Sequence, residues 1–473
     1  MFKYLFFDDQ KLYKRENLNR HYGIPEIIDT SVFYDGFSST DVRSPYVFKC
    51  DDGKYRMIYD GNLENGGGNL CLMAKSEDGI HFTPENTRDA LEIENREADN
   101  EVFKISGEIA EMIEDKYNSP EERYKLLMFE FGKDHTLNGI VLASPDLLHW
   151  KRVEGEDWSG GAEPITGIFY NEKRQCFTIL RRPDWGTRRV GYVETKDWRT
   201  YTPYELCLQV DSLDEPLSEL YGMTAMKYGD YYIGFPNIYS CFDKGNFSKV
   251  KGGIIESQLA YSINGRHWQR SLRTPFLSGM NKEIEEVFGY KNPLCWPSSF
   301  RVDDDGSIII YASLSGKEHG PAFSEPGKGR ICAYKLRKDG FIVLSTENAE
   351  KDSIISTREN IWQSGELQIN ISCENATMAV YESLGDDVLG TAHNLEGYTH
   401  NDCIAFSGDS TKWIPQFKGG KTLNELSGKT LIFEIKFKNG SLYSLEGDCT
   451  PVMNLEGTRY REYNTLPEIK SYF

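Results

Sequence analysis

Short runs that alternate between apolar and polar residues recur along the chain, and turns rich in glycine, aspartate and asparagine separate most of them. The first group comprises the runs 46–49, 55–59 and 70–74. Alternation with a period of two predicts β-strands, and turns of this composition predict hairpins between them. A helical period is rare, and its best example is the short stretch 282–288. The pattern predicts an all-β protein and disfavours a parallel α/β fold.

One turn motif closes each group of strands. It begins with Ser or Thr and ends with an aromatic residue, and its clear copies span residues 76–82, 144–150, 195–201 and 262–268, with a weaker copy at 334–341. Asp-Gly and Asn-Gly pairs supply the positive φ that a tight hairpin needs. His81, His149 and His267 occupy one slot of the motif, which indicates a structural role. A repeat of about 50 to 70 residues with one such turn per unit is typical of a β-propeller.

The repeats predict a five-bladed β-propeller over residues 1–345. Residues 1–35 have the pattern of an extended lead-in, a strand that closes the ring or covers one edge. After Phe341 the repeat stops, and shorter alternating runs begin at 367–371, 377–381, 431–437 and 441–444. Short strands over roughly a hundred residues are typical of a β-sandwich, which we assign to residues 346–473.

The composition restricts the classes of molecule that the protein is expected to bind. The net charge of −19 disfavours nucleic acids and anionic membranes as partners, whereas a neutral ligand such as a sugar fits. The first nine residues are too short and too soon acidic for a signal peptide, and no apolar run is long enough to span a membrane. The ten cysteines form no Cys-x-x-Cys pair, which is typical of reduced thiols in a cytoplasmic protein. The eight histidines lack metal-ligand spacing, so we expect no metal and no cofactor.

Acidic residues stand just before most of the strands predicted to line the central channel. Four of the five units carry one there, namely Asp41, Glu108, Glu163 and Glu219, and the fifth carries Cys295. Because inner strands surround the channel, these carboxylates are expected to converge at its mouth. Converging carboxylates are what glycosidic cleavage requires, one as proton donor and one as nucleophile or base. We predict catalytic roles for Asp41, Glu163 and Glu219.

Other residues near the same positions are predicted to bind substrate. They are Arg43, Glu108, Arg181, Arg182 and Trp296, with the arginines orienting hydroxyls or a carboxylate and the tryptophan stacking on a sugar face. Each residue also has a purely structural interpretation. Asp41 could cap a turn or pair with Arg43, Glu163 and Glu219 could be surface acids, and tryptophan commonly packs in cores.

Five segments of the sequence carry a resemblance to a known superfamily, namely 5–9, 55–59, 122–125, 337–341 and 367–370. They resemble the five-bladed propeller glycosidases, the superfamily that holds glycoside hydrolase families 32, 43 and 68, and in particular a family-32-like branch with an appended β-sandwich. The resemblance covers nearly the whole chain.

The resemblance implies one acidic residue from each of the first three blades. Carried over by position, Asp41 is the nucleophile or base and Glu163 the acid, while the second blade offers Glu108 where the family has Asp. The Asn-Asp-Pro and Arg-Asp-Pro motifs of fructosidases are absent, with Ser44-Pro45 where Asp-Pro is expected. Glu219 is an additional acid in the fourth blade.

These observations predict a glycoside hydrolase acting on small oligosaccharides or glycosides, furanosides included. Two alternatives stay open. A glycoside phosphorylase like the family 130 propellers would bind phosphate through Arg181, Arg182 and Arg189. A non-catalytic carbohydrate-binding propeller would bind sugar without turnover. A homo-oligomer is compatible with an exposed sandwich.

Overall fold

The computed structural model describes residues 2–28, 31–34, 42–62, 69–105, 107–131, 137–160, 167–183, 188–241, 253–319, 329–383 and 392–452. The protein is all-β, as predicted, with 56% strand and 5% helix. The chain forms two compact units. One comprises Met1–Ile24 with Arg337–Phe473, and the other comprises Pro25–Leu336. Within the described residues, no helix has the length and apolar character to cross a membrane.

The first strands of the chain belong to the unit that also contains the C-terminal residues. They are β1 (Phe2–Tyr4), β2 (Leu12–Glu16) and β3 (Leu18–Tyr22).

The larger unit contains most of the strands and the α-helix. In chain order they are β4 (Glu26–Ile27), β5 (Val42–Lys49), β6 (Tyr55–Asn62), β7 (Asn69–Ser76), β8 (Thr83–Pro84), β9 (Glu101–Ile105), β10 (Gly107–Glu114), β11 (Tyr124–Phe131), β12 (Leu137–Ser144), β13 (Lys151–Val153), β14 (Gly167–Asn171), β15 (Cys176–Arg181), β16 (Val190–Thr195), β17 (Glu205–Leu208), β18 (Ser218–Tyr228), β19 (Tyr231–Cys241), β20 (Gly253–Ser257), β21 (Ala260–Ser262), α1 (Lys282–Phe288), β22 (Leu294–Val302), β23 (Ile308–Ser315) and β24 (Gly329–Leu336).

The remaining strands return to the unit that contains the chain's first strands. They are β25 (Ile342–Thr346), β26 (Ser353–Thr357), β27 (Asn360–Ser383), β28 (Ala392–Asn394), β29 (Phe406–Trp413) and β30 (Thr430–Pro451). Short 3₁₀ turns lie at Pro120–Glu122, Lys418–Gly420 and Leu423–Leu426.

Hydrogen bonding explains why the first residues group with the last. Strand β1 pairs with β30, β2 with β26 and β3 with β25, so one connected sheet of nine described strands contains both the first and the last described strands. The ammonium of Lys3 also bonds to the buried carboxylate of Asp339 at 2.8 Å. The boundaries of 1–345 and 346–473 stay a prediction as domain limits; the compact units differ from them because this pairing draws residues 1–24 to the C-terminal strands and divides the units after Leu336. The β-sandwich also stays a prediction.

The five predicted strand groups of the larger unit occur as four hydrogen-bonded sheets. Strands β5–β8 with β9 form the first, β10–β13 the second and β14–β17 the third. The fourth and fifth groups are joined in one sheet because β20 and β22 share a single bridge, between Ile255 and Leu294. The short strand β4 pairs with β24, so residues 26–27 complete the last group. Apolar clusters fill the spaces between successive sheets and form the core.

The first strands of the five groups lie next to one another in order. The Tyr46 hydroxyl of β5 donates to the Ala110 carbonyl of β10 at 2.9 Å. Strand β10 contacts β14, and β14 contacts β18. The Thr224 hydroxyl of β18 donates to the Pro297 carbonyl of β22 at 3.2 Å. The Ser299 hydroxyl of β22 donates to the Pro45 carbonyl of β5 at 2.7 Å. The fifth group therefore contacts the first.

The repeated turn has the same hydrogen bonds in each clear copy. In the second copy, the amides of Leu148 and His149 donate to Oδ1 of Asp146 at 3.0 and 2.8 Å, and the His149 ring meets Oδ2 at 2.7 Å. Asp78, Asp197 and Asn264 accept the corresponding amides in the other copies. The histidine slot is thus structural. The fourth residue of the motif has φ between 63° and 76°, and it is glycine in only two of the four copies.

Removing the turn carboxylate should destabilise the protein. We expect Asp146→Ala to lower the free energy of unfolding by about 1–2 kcal/mol, because two amides and a histidine lose a charged acceptor at a partly solvated site. Urea denaturation measures this change. The exposed Asp89, for which the structure shows no such contacts, provides the control, and equal effects of Asp146→Ala and Asp89→Ala would contradict this role for the turn.

Candidate active site

Two of the three predicted catalytic residues, Asp41 and Glu163, lie outside the described residues, so their roles stay predictions. The other predicted residues are described. Arg43, Glu108 and Glu219 are each the second residue of a first strand, in β5, β10 and β18 respectively, and Trp296 is the third residue of β22.

Hydrogen bonding shows that these strand starts share one end of the sheets. Arg43 of β5 reaches Glu108 of β10, and three residues further along β5 Tyr46 bonds to Ala110. Across the fourth and fifth groups, Glu219 pairs with Tyr239, Tyr239 with Ile255 and Ile255 with Leu294, so these strand starts also lie in one row.

The Arg43 guanidinium contacts two carboxyl groups from neighbouring sheets. Its Nη2 lies 3.4 Å from Oε1 of Glu108, and its Nε lies 3.8 Å from Oδ2 of Asp60, which faces Arg43 across the β5–β6 register. The two carboxyl groups differ in environment, because the Asp60 side chain is 1% exposed and that of Glu108 is 40% exposed. One cation therefore joins a buried carboxyl group to a carboxyl group that solvent can reach.

The sequence analysis missed Asp60. The strand run 55–59 was recognised, but the charged residue directly after it was not. A single Asp at the end of an apolar strand, in a unit whose inner strand begins with Arg, was the available signal.

Burial changes the protonation of this carboxyl group. It raises the pKa of Asp60 to about 7, with the nearby Glu108 carboxylate adding to the rise and the Arg43 guanidinium opposing it. Asp60 can therefore hold or release a proton near neutral pH. Such tuning is typical of groups that take part in acid–base chemistry, although structural networks also produce it.

The raised pKa of Asp60 predicts a pH-dependent change in stability. Between about pH 4 and pH 7 the folded protein binds the Asp60 proton more tightly than the unfolded chain does, so this group lowers stability as the pH rises. Asp60→Asn removes the penalty. We expect the variant to gain about 2–3 kcal/mol relative to the parent between pH 5 and pH 8. Urea denaturation at both pH values measures the gain. Asp89→Asn is the control, and a pH-independent difference for Asp60→Asn would contradict the assignment.

A second buried carboxyl group, Glu111, acts on the same tyrosine as Asp60. Glu111 is 5% exposed, and burial raises its pKa well above the usual range even though the Met112 amide donates to it at 3.0 Å. Burial likewise raises the pKa of Tyr46, and Glu111 and Asp60 add to that rise. The interior around Tyr46 therefore favours neutral, protonated groups.

Glu219 lies in a different environment, rich in arginine and aromatic rings. Its Oε2 is ion-paired with Nη1 of Arg188. The guanidinium groups of Arg188 and Arg182 lie 5.5 and 5.4 Å from the ring centre of Tyr221. Nε2 of His319 lies 3.1 Å from the Tyr221 hydroxyl. Sequence reasoning named Arg182 and Glu219 but missed Arg188, Tyr221 and His319, because none of these three residues belongs to the repeated motif.

Arg181 and Trp296 are more enclosed than predicted. The Arg181 guanidinium donates to the Ser159 carbonyl and lies 4.8 Å from the ring centre of Tyr204, and burial lowers its pKa. Trp296 is 9% exposed and packs in an apolar cluster with Tyr239, Ile255 and Leu294. Neighbouring residues cover most of the surface of both side chains. Stacking of Trp296 on a sugar stays a prediction.

The described residues hold no group of three or more His, Cys, Asp or Glu side chains that could bind a metal ion.

Comparisons with known proteins give distant matches. No family model matches the sequence. Protein Ami of Listeria monocytogenes is 27% identical over 124 residues, which are 25% of this chain and 13% of that protein. The chain therefore spans only about an eighth of this curated relative.

Several solved structures are similar over about two thirds of the chain. One comes from the GH130 family of mannoside phosphorylases, described as containing glycoside hydrolases that target β-1,2 mannosidic linkages in Candida mannan; it shares 15% identity over 66% of this chain and 94% of its own, with a TM-score of 0.41. A glycosyl hydrolase from Bacteroides ovatus shares 14% identity over 68% of this chain and 96% of its own, with a TM-score of 0.39. An N-acetylgalactosamine deacetylase from F. plautii shares 15% identity over 68% of this chain and 95% of its own, with a TM-score of 0.43. Similarity this low identifies neither a substrate nor a reaction.

Proposed function

We propose that the protein is a glycoside hydrolase that cleaves small oligosaccharides or glycosides, furanosides included, at the start of the inner strands of a five-bladed β-propeller. The observation that carries the proposal is the Arg43 guanidinium between Asp60 and Glu108. Neighbouring strands thus bring two carboxyl groups together around one cation, and burial raises the pKa of Asp60 to about 7, which shows that this end of the sheets can tune a carboxyl group for proton transfer near neutral pH.

The propeller architecture is supported by the order of the first strands. Each first strand contacts the next, and β22 returns to β5 through Ser299 and Pro45. Antiparallel sheets arranged in this way around a central axis form a propeller, and propellers bind ligands where the inner strands begin.

In the proposed reaction, Glu163 protonates the glycosidic oxygen as the bond to the anomeric carbon breaks. Asp41 attacks that carbon directly or deprotonates the water that does so. Glu219, held in an ion pair by Arg188, is suited to accept hydrogen bonds from substrate hydroxyls. Arg43 and Asp60 act as positioning residues, because they fix Glu108 and adjust the local charge.

Substrate binding is proposed to involve Arg43, Glu108, Arg181, Arg182 and Trp296. Arg182 is the best supported of these, since its guanidinium lies beside Tyr221 at the same end of the sheets as Glu219. A cytoplasmic location, a carbohydrate as the partner molecule and a homo-oligomeric state are further parts of the proposal, as is the absence of a cofactor.

One observation favours a phosphorylase as the second candidate. Arg182 and Arg188 bring two guanidinium groups to the same tyrosine, and guanidinium groups bind phosphate well. In that reaction, phosphate replaces water as the attacking group and the product is a sugar phosphate. A carbohydrate-binding protein without turnover would bind sugar at the same surface and would need neither Asp41 nor Glu163 for catalysis.

Sugar release with and without phosphate separates these functions. The probes are fructo-, arabino-, xylo-, galacto- and manno-configured oligosaccharides. We expect free monosaccharide in phosphate-free buffer and no dependence of its release on added phosphate. Release of a sugar phosphate that requires phosphate would select the phosphorylase. Binding of an oligosaccharide that is never cleaved would select the binding protein.

A further inference from the structure

Two tyrosine rings form an exposed stack at the opposite ends of the inner strands from the candidate active site. Tyr117 lies three residues after the end of β10, and Tyr170 is the fourth residue of β14. Their ring centres are 3.5 Å apart and their planes differ by 14°. Tyr117 is 57% exposed although its ring stacks on that of Tyr170, so much of the ring can be reached from solvent. Glu108 and Glu114 lie at the two ends of β10, so the stack is about 20 Å from the candidate active site.

The loop that presents Tyr117 is fixed from below by a buried carboxylate. The amides of Tyr117 and Asn118 donate to Oδ1 of Asp115 at 2.9 and 3.1 Å, and the side-chain amide of Asn118 donates to Oδ2 at 2.7 Å. Oδ2 of Asp115 also accepts hydrogen bonds from the ammonium of Lys125 at 3.1 Å and from the indole N–H of Trp198 at 2.7 Å. The side chains of Asp115 and Lys125 are fully buried.

Burying this ion pair carries a desolvation cost that an ordinary surface loop avoids. Removing two charges from water is expensive, and a well-packed apolar pair of the same volume is often equally stable or more stable. The ion pair instead fixes the direction of a loop that carries an exposed aromatic ring. A rigid ring loses little conformational freedom on binding, which favours affinity.

Charged residues neighbour the two tyrosines in the chain. Glu172, one residue after β14 and two after Tyr170, has a side chain that is 61% exposed and is ion-paired with Lys227. Lys116, directly before Tyr117, pairs with Glu114 at 3.2 Å. An exposed aromatic ring provides an apolar surface for the C–H groups of a sugar ring, and charged side chains near it in the chain provide hydrogen-bonding groups for the hydroxyls.

We propose that Tyr117, supported by Tyr170, forms a second carbohydrate-binding site that contacts a polysaccharide chain away from the active site. This inference rests on the proposed function, because the ligand class is a carbohydrate. It explains why an exposed ring is held by a buried ion pair. The site requires no residue of the candidate active site.

The test compares Tyr117→Ala and Tyr117→Phe with the parent by affinity electrophoresis in gels containing yeast mannan, levan, arabinan, xylan or galactan. We expect at least one polysaccharide to retard the parent and Tyr117→Phe, and Tyr117→Ala to bind it about tenfold more weakly. Tyr13→Ala is the control, because Tyr13 is 50% exposed in the other compact unit, and its retardation should match that of the parent. Thermal denaturation of each variant identifies any loss of folding.

Equal retardation of Tyr117→Ala and the parent would overturn the proposal, as would a parent that none of the five polysaccharides retards. The proposed function fails independently, since its test is the turnover of small oligosaccharides, which Tyr117→Ala should leave unchanged. Loss of retardation with turnover intact supports the second site. Loss of retardation and turnover together, with the fold intact, contradicts its separation from the active site.

Discussion

Replacing the proposed acid, as in Glu163→Gln, is expected to lower kcat/KM for an unactivated oligosaccharide about 10²- to 10⁴-fold, the range that general acid catalysis contributes. The loss should depend on the leaving group. A dinitrophenyl glycoside releases dinitrophenolate, a stable anion that needs no proton to leave. We therefore expect kcat/KM for this substrate to change far less in the same variant. Steady-state kinetics on both substrates measures the difference.

Two further variants test this assignment. Asp41→Asn removes the proposed nucleophile or base, so we expect turnover of both substrates to fall. Glu154→Gln changes an exposed acid in the same unit, and its activity should match that of the parent. An equal loss on both substrates in Glu163→Gln would assign the proton donor to another residue, and unchanged turnover would remove Glu163 from the mechanism.

Breaking the fully buried ion pair between Lys125 and Asp115 is expected to have the largest effect on stability. Lys125→Met leaves the Asp115 carboxylate buried beside the Trp198 N–H without its cation. Removing one partner of a buried pair typically costs about 3–5 kcal/mol, because the remaining charge has lost its compensation. Urea denaturation followed by tryptophan fluorescence measures the loss.

An exposed ion pair supplies the matched control. Lys104 and Glu97 lie 3.2 Å apart with side chains 43% and 47% exposed. Surface pairs of this kind contribute about 0–1 kcal/mol, so Lys104→Met should change stability by no more than that. Similar losses in Lys104→Met and Lys125→Met would show that burial of the pair does not determine its contribution.

Local features of the fold were predictable from sequence. The helix at residues 282–288 has Asn281 as its cap, whose side chain accepts from the Ile284 amide at 2.8 Å, and Gly289 at its end with φ of 76°. The repeated turns also occur at the predicted positions, because their Ser, Thr, Asp and Asn side chains bond within a few residues of themselves. Such interactions are visible in any short stretch of sequence.

Two features of the turns were not predictable from glycine alone. Leu147 and Trp198 occupy the position of positive φ that Gly79 and Gly265 occupy in the other copies. Both side chains are almost fully buried, at 0% and 1% exposure. Apolar burial and the hydrogen bonds of the turn therefore offset the strain of a left-handed conformation, an energy balance that depends on neighbours distant in sequence.

Long-range pairing limits sequence reasoning in the same way. Nothing in residues 2–22 indicates that β1 and β3 pair with strands more than 300 residues later, as the partners Phe2–Gly447 and Tyr22–Ile342 do. The candidate site was only partly predictable for a related reason. Glu108 and Arg43 stand near positions defined by the repeat, whereas Asp60 joins the candidate site only because the β5–β6 register places it opposite Arg43.

Hydrolysis in water enriched in ¹⁸O, with phosphate omitted, tests the central claim most directly. The parent is given an oligosaccharide that it cleaves, and the products are analysed by mass spectrometry before the anomeric hydroxyl exchanges with solvent. We expect one heavy oxygen on the sugar that contributed the anomeric carbon, and loss of this product in Asp41→Asn. Unlabelled product, or labelled product formed equally well by Asp41→Asn, would contradict it.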